Sequence, residues 1–364
     1  MLIKEITDYL ESLAPLSSQE SYDNSGFITG HKNTVLTNAL ITLDCIEATV
    51  DEAIEKGCNL IIAHHPIVFK GLKSLTGSNY IERTVIKAIK NDIAIYAYHT
   101  NLDNYKNGVN KRIGELLGIT NPKILAPSTG TLEKLVVFVP ETHVGKVKDA
   151  LFGAGAGAIG NYSHCSFTSA GTGTFMANEN ANPFVGKQHE LHKEPEHKVE
   201  VMLRLHDKNR IITALLNSHP YETVAYDLLP LQNTNTDEGA GMYGELAEAM
   251  PAKSFLSLLK TRFNCKVIRH TNIHQETLKT IAWCGGSGSF LLGAAKAIKA
   301  DIFITGDFKY HEFFDAENDI IIADIGHYES EQFTIDLIGD ILSKKFTKFA
   351  PYLTERPTNP VNYF

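Results

Sequence analysis

Five short apolar runs in this 364-residue chain are each followed by histidine or carboxylate. His64-His65-Pro66 comes after 59–63, and His99 with Asp103 after 93–98. Asp307 and then His311 come after 301–304, His327 and Glu331 after 320–324, and Asp44 after 39–43. Imidazole nitrogen and carboxylate oxygen together suit a borderline transition metal such as Zn, Fe or Mn. In a parallel sheet, ligands gather beyond the C-terminal ends of the strands. Five strand ends delivering such groups to one rim is a stronger signal than any one of them.

His64-His65 is the sharpest pair. A helix points adjacent residues apart, whereas a turn aims both at one centre. Taken alone, two surface histidines in a Pro-terminated loop would read the same. His327 and Glu331 are four apart at an expected helix start, which puts both on one face, one turn apart. A solvated surface pair has that spacing too. Asp103 lies four beyond His99, so either is a ligand with the other as its partner. Asn101 and Asn104 also fit an Asx-rich turn there. Gly285-Gly-Ser-Gly-Ser289 follows a strand and opens a helix, so its backbone N–H groups are expected to cradle an anion. A plain flexible turn fits it equally well. It lacks the Lys-Ser/Thr of a Walker loop, and the chain has neither a GxSxG elbow nor an HExxH helix.

Those groups need a frame to hold them. Residues 39–43, 59–63 and 93–98 read as buried strands alternating with helices over 47–56, 80–90 and 110–117. Gly57 and Gly118 sit at the helix stops. The last third repeats this pattern, with strands over 280–284, 301–304 and 320–324 and helices over 290–299 and 329–344. The expected class is α/β, a mostly parallel sheet with helices on both faces. The middle differs. Strands over 134–139, 199–205 and 222–229 alternate with helices over 143–152 and 208–217. The polar stretch 169–196 leaves room for one more strand. That pattern predicts a ferredoxin-like α+β domain over 131–232, inserted into a discontinuous domain of 1–126 and 236–364.

Composition narrows the function. The 42 acidic and 34 basic residues give a net charge of −8, which makes nucleic acid an unlikely partner. Five cysteines at wide spacing with no CxxC read as free thiols in a reducing compartment. The N-terminal segment reads as an amphipathic helix carrying Lys4, Glu5, Asp8 and Glu11, not as a signal peptide. No apolar run approaches the roughly 20 residues that span a bilayer, so a cytoplasmic protein is expected.

At these residues the chain resembles the Nif-three-like dinuclear metal centre proteins, often called GTP cyclohydrolase I type 2 homologues. The motifs are Tyr22-Asp-Asn-Ser-Gly26, Ile62-Ala-His-His-Pro66, Tyr98-His-Thr-Asn-Leu-Asp103, Cys284-Gly-Gly-Ser-Gly-Ser289, Thr305-Gly-Asp307 with His311, and Asp324-Ile-Gly-His327 with Glu331. They span nearly the whole chain in the family's order. The middle resembles the PII/CutA-like insertion of longer members, with Asn217-Ser-His-Pro-Tyr-Glu222 part of that match. Tyr22 and Ser25 depart from the residues usual on either side of the Asp-Asn turn. The resemblance implies two divalent metal ions (Zn, Fe or Mn) held by His64, His65, Asp103, His327 and Glu331. His99 and His311 are then the candidates for catalytic proton transfer. It implies a ring-shaped homohexamer and a hydrolase in which metal-activated water attacks a nucleotide-like substrate or related phosphate compound. The competing expectation is a non-catalytic regulator whose inserted domain senses a small molecule.

Overall fold

The computed structural model describes residues 1–364. The chain divides into two compact units, Met1–Ala126 with Asp237–Phe364, and Pro127–Thr236. In chain order the strands begin with β1 (Gly26–Thr29), β2 (Ala39–Asp44), β3 (Leu60–His65), β4 (Ala94–Ala97) and β5 (Lys123–Ser128). Next come β6 (Leu132–Pro140), β7 (Phe167–Met176), β8 (Leu191–Arg204), β9 (Tyr226–Pro230) and β10 (Asn235–Pro251). The last are β11 (Arg269–His270), β12 (Thr277–Ser287), β13 (Ile302–Gly306), β14 (Ile321–Asp324) and β15 (Tyr352–Leu353). No helix is long and apolar enough to cross a membrane.

The discontinuous unit is mixed α/β with two sheets, where sequence pattern alone predicts one. The first has the order β1-β4-β3-β2-β15 and the second β11-β14-β13-β12-β10-β5. Strands β4, β3, β2 and β15 run parallel. So do β12, β13 and β14. The antiparallel strands β1, β10 and β11 flank these parallel sets. Two sheets with the same grammar look like one in sequence, because periodicity reports burial and not which strand pairs with which.

Strand alternation divides the core into layers. Ile41, Leu60, Ile62 and Tyr96 of the first sheet join Ile281, Trp283, Ile302 and Ile304 of the second in one central cluster. Their sequence neighbours Leu40, Ile61, Ala63 and Ile95 face outward onto Val50, Ala53, Val85 and Ala88 of the helices Glu47–Glu55 and Tyr80–Lys90. Ala282, Phe303 and Ile322 do the same against Leu292 and Ala295. Trp283 is fully buried, and its indole N–H donates to the Asn110 carbonyl at 2.7 Å. Truncating it to Ala is expected to cost about 3–5 kcal/mol.

Several elements differ from the sequence-based pattern, among them the short strands β1, β5, β11 and β15, which it does not contain. The expected single helix over 329–344 is two, His327–Glu331 and Thr334–Lys345. Strand β10 and the helix Ala252–Arg262 are additional. β10 is rich in Gly and Glu, residues depleted from strands, and pairing with β12 holds it. The helix carried the usual signal, with Ala252, Phe255 and Leu259 buried on one face.

The unit Pro127–Thr236 has one sheet of order β7-β8-β6-β9. β6 pairs with β8 and β9, and β7 with β8, all antiparallel. Leu135, Val137, Val199, Val201 and Leu203 pack beneath the helices Val144–Gly153 and Lys208–Ser218. The polar stretch expected to have room for a strand holds β7, which starts at Phe167, and the first half of β8. Much of β7 is exposed, so it shows no apolar alternation.

Candidate metal centre

His64 and His65 are the last two residues of β3, not members of a turn. Successive strand residues face opposite sides. His64 is buried with the central layer, while His65 is partly exposed. Both reach the same place because the strand stops there and its rim is open to rings from either face. Asp103 comes from the one-turn helix Thr100–Asn104 that follows β4. His327 and Glu331 occupy the one-turn helix after β14. Gly326 turns the chain into that helix at φ +95°, where a Cβ would lie 2.2 Å from a Glu329 carboxylate oxygen.

Four of the five predicted ligands converge on the fifth. Glu331 is buried, with one carboxylate oxygen 3.0 Å from His65 Nε2 and 3.0 Å from His327 Nε2. Its other oxygen lies 3.8 Å from His64 Nε2, which is 3.5 Å from Asp103 Oδ1. Of three groups with metal-ligand spacing, two share Glu331, His64 with Asp103 and Glu331, and His65 with His327 and Glu331; the third is His64 with His65 and His99. In each, the candidate ligand atoms all lie within 4.8 Å of one another. His64 Nε2 and Asp103 Oδ1 are buried and have no hydrogen-bond partner. A buried orphan donor or acceptor is costly. A cation between these two is the partner that chemistry supplies.

The second nitrogen of each imidazole is tied back to the protein. His64 Nδ1 donates to the Tyr98 carbonyl at 2.9 Å, His65 Nδ1 to Asp44 at 2.8 Å and His327 Nδ1 to Asp307 at 2.7 Å. Such bonds select the tautomer that leaves Nε2 as the ligand, and they fix the ring. Asp44 and Asp307 follow strand ends in the sequence, and only this geometry gives them a role.

The electrostatics favour positive charge at the centre. Burial opposes charging His65, yet its hydrogen bonds to Asp44 and Glu331 push its pKa up to about 9. Burial likewise opposes His327, and the Glu331 charge and the Asp307 bond push it up to about 11. Burial favours the neutral acid of Glu331, but the facing histidines hold its carboxyl well below the usual range. Asp103 is pushed up, first by burial and then by the Glu331 charge.

His99 and His311 part company. A ring nitrogen of His99 lies within 4.8 Å of ring nitrogens of His64 and His65. Its Nδ1 bonds Asp23 at 2.7 Å, from the turn before β1. His311 is exposed, stacks on Phe314, and does not line the cavity.

The glycine turn has a different use from the anion cradle expected of it. The N–H groups of Gly285, Gly286 and Gly288 already donate to Asn110, Ser330 and Thr305 side chains. Gly285, Gly286 and Ser287 complete β12, and Gly286 sits at φ +61°. A Cβ there would fall 2.4 Å from Glu331 Oε1. The glycine makes room for the central carboxylate. A cavity of about 760 Å³ opens over the cluster, with Tyr22, Phe69, Phe290 and Tyr328 among the residues that line it.

Fold and site together define a mixed α/β protein with a buried His/carboxylate cluster able to hold metal. The Duf34/NIF3 (NGG1p interacting factor 3) description matches residues 1–360, and the chain belongs to that family. A relative from Halalkalibacterium halodurans called GTP cyclohydrolase 1 type 2 homolog is 42% identical over 324 residues, covering 88% of this chain and 87% of its own. A Bacillus subtilis protein of the same name is 36% identical over 366 residues, 99% of this chain and 98% of its own. The crystal structure of a Bacillus cereus protein related to NIF3 superimposes with a TM-score of 0.87 at 36% identity, covering 100% of this chain and 99% of that one.

Proposed function

We propose that this protein is a metal-dependent hydrolase holding two divalent ions, with a nucleotide-like compound as substrate. The observation that carries the reading is the pair of ligand groups sharing Glu331. His64 and Asp103 would hold one ion, His65 and His327 the other, and the Glu331 carboxylate would serve both. The mixed N and O donors suit Zn, Fe or Mn. Bound there, such ions supply Lewis acidity and lower the pKa of coordinated water.

The chain's own residues do the rest. Asp44, Asp307 and the Tyr98 carbonyl keep the three imidazoles in the ligating tautomer. His99, braced by Asp23, takes or returns the substrate's proton at the edge of the cluster. His311 has no part in this reading. The aromatic side chains around the cavity suit a flat base, which agrees with the cyclohydrolase name the relatives carry. We read the inserted unit as ferredoxin-like. Its strand-helix-strand-strand-helix-strand order and its sheet order support this.

The test is elemental analysis of protein purified without chelator, followed by a turnover screen of nucleotides and phosphoesters. About two equivalents of transition metal per chain are expected, with turnover lost in Glu331→Ala while the fold is kept. Less than one equivalent would overturn the metal centre. Full occupancy with every substrate untouched would overturn the hydrolase.

A further inference from the structure

The unit Pro127–Thr236 contains its own cavity, about 690 Å³, on the sheet face opposite its two helices. On β8, Val199, Val201 and Leu203 face the helices, so Glu196 and Lys198 face the other way. Across β7, Ser169 pairs with Lys198 and Gly171 with Glu196. These small residues leave the floor of the cavity low. Gly173 is needed there, because a Cβ would lie 2.0 Å from Glu196 Oε2.

Four aromatic residues line this space, Phe138 and a group of three. Phe175 and Tyr221 have centroids 6.2 Å apart, and Phe184, from the segment after β7, lies 6.3 Å from Tyr221. Beside them sits Glu196, only 9% exposed. Its side chain accepts one hydrogen bond, from the Tyr221 hydroxyl at 2.8 Å. The nearby cations are engaged elsewhere. Lys198 pairs with Glu200 at 2.7 Å and His192 with Glu194 at 2.8 Å. His219 is neutral by its bonding: Nε2–H donates to the Phe138 carbonyl and Nδ1 accepts the Tyr221 N–H. Burial also lowers its pKa. Glu222, the second acid of the lining, accepts only the Asn182 N–H. A buried carboxylate without a cation is costly unless a ligand brings one. Aromatic faces around it attract that same charge.

We propose that this cavity binds a small organic cation, an alkylated ammonium held by Glu196 and by the rings of Phe175, Phe184 and Tyr221. The two carboxylates select the positive charge, and the rings select an alkylated nitrogen over a strongly hydrated metal ion. The proposal stands apart from the metal centre and from any turnover there.

The experiment is calorimetric titration of the full-length protein with tetramethylammonium, choline and phenyltrimethylammonium. The control is 3,3-dimethyl-1-butanol, the uncharged isostere of choline. At least one cation is expected to saturate, with the isostere roughly tenfold weaker or worse. Glu196→Gln keeps the acceptor for Tyr221 and is expected to weaken the cation by a similar factor. Phe184→Ala, whose ring is half exposed, should weaken it while leaving Tm unchanged. No saturation by any of the three cations would overturn the proposal. So would equal binding of the isostere, or an affinity that Glu196→Gln leaves unchanged.

Discussion

The two units place polar groups on their sheets in different ways. In the discontinuous unit, β2, β3 and β4 are buried on both faces along almost their whole length. Reactive side chains appear only where these strands stop. Adjacent residues such as His64 and His65 can then share one centre, because beyond the last backbone pairing the two faces meet. In the unit Pro127–Thr236 the sheet is covered by helices on one side, and Glu196 sits in mid-strand. A mid-strand group has room only if its cross-strand neighbours are small, as Gly171 and Gly173 are. A strand-end site therefore costs little in local sequence. A mid-strand site leaves a composition signature in the partner strand.

The comparison can be broken most decisively at Glu331. Glu331→Ala removes the shared ligand, so metal content should fall from about two equivalents to near zero, with turnover lost by orders of magnitude. If one ion persists at full occupancy, the two groups do not share the carboxylate. Next come the single-sided ligands. His64→Ala and His65→Ala should each leave about one equivalent, and their sum should not exceed the Glu331→Ala loss. Gly286→Ala probes the strand-end design without replacing a candidate ligand. Its Cβ collides with Glu331 Oε1, so metal retention should drop several-fold in competition with a chelator. Far-ultraviolet circular dichroism should be unchanged. Retention equal to wild type would show that the site yields more than this packing suggests.

A smaller effect separates stability from site chemistry. Glu82 lies in the first turn of the helix Tyr80–Lys90, which Asn79 caps, and accepts N–H bonds from Thr76 and Ser78, which hold its carboxyl at about 2 against an ordinary 4.5. Its folded value lies below its unfolded one. The stability it contributes is therefore present above about 4.5 and is lost as pH falls from there through about 2. Thermal unfolding followed from pH 6 to pH 2.5 should show wild type losing Tm faster than Glu82→Gln across that window. Parallel curves would remove Glu82 as the cause.

Residue types and spacing determined a good deal on their own. The apolar runs ending in histidine or acid, the i,i+4 placement of His327 and Glu331 and the helix-stopping Gly57 and Gly118 are local features, written in consecutive residues. So the parallel strands, most helices and a rim of candidate histidines and acids were legible; the motif order suggested the family, and that resemblance picked five candidate ligands among them. Partnership was not legible. Which ligand lies at the centre, that Asp44 and Asp307 orient imidazoles, and that His99 joins the cluster while His311 stays at the surface all depend on contacts between residues far apart in the chain. The same holds for the glycine turn. Its spacing suits an anion cradle, but Asn110, Ser330 and Thr305 take up its N–H groups, and Glu331 fills the space a side chain would need. Local sequence sets backbone preference and burial pattern, whereas the tertiary structure alone decides which polar groups meet, because hydrogen bonds and close contacts form between whichever groups the packed core leaves within reach.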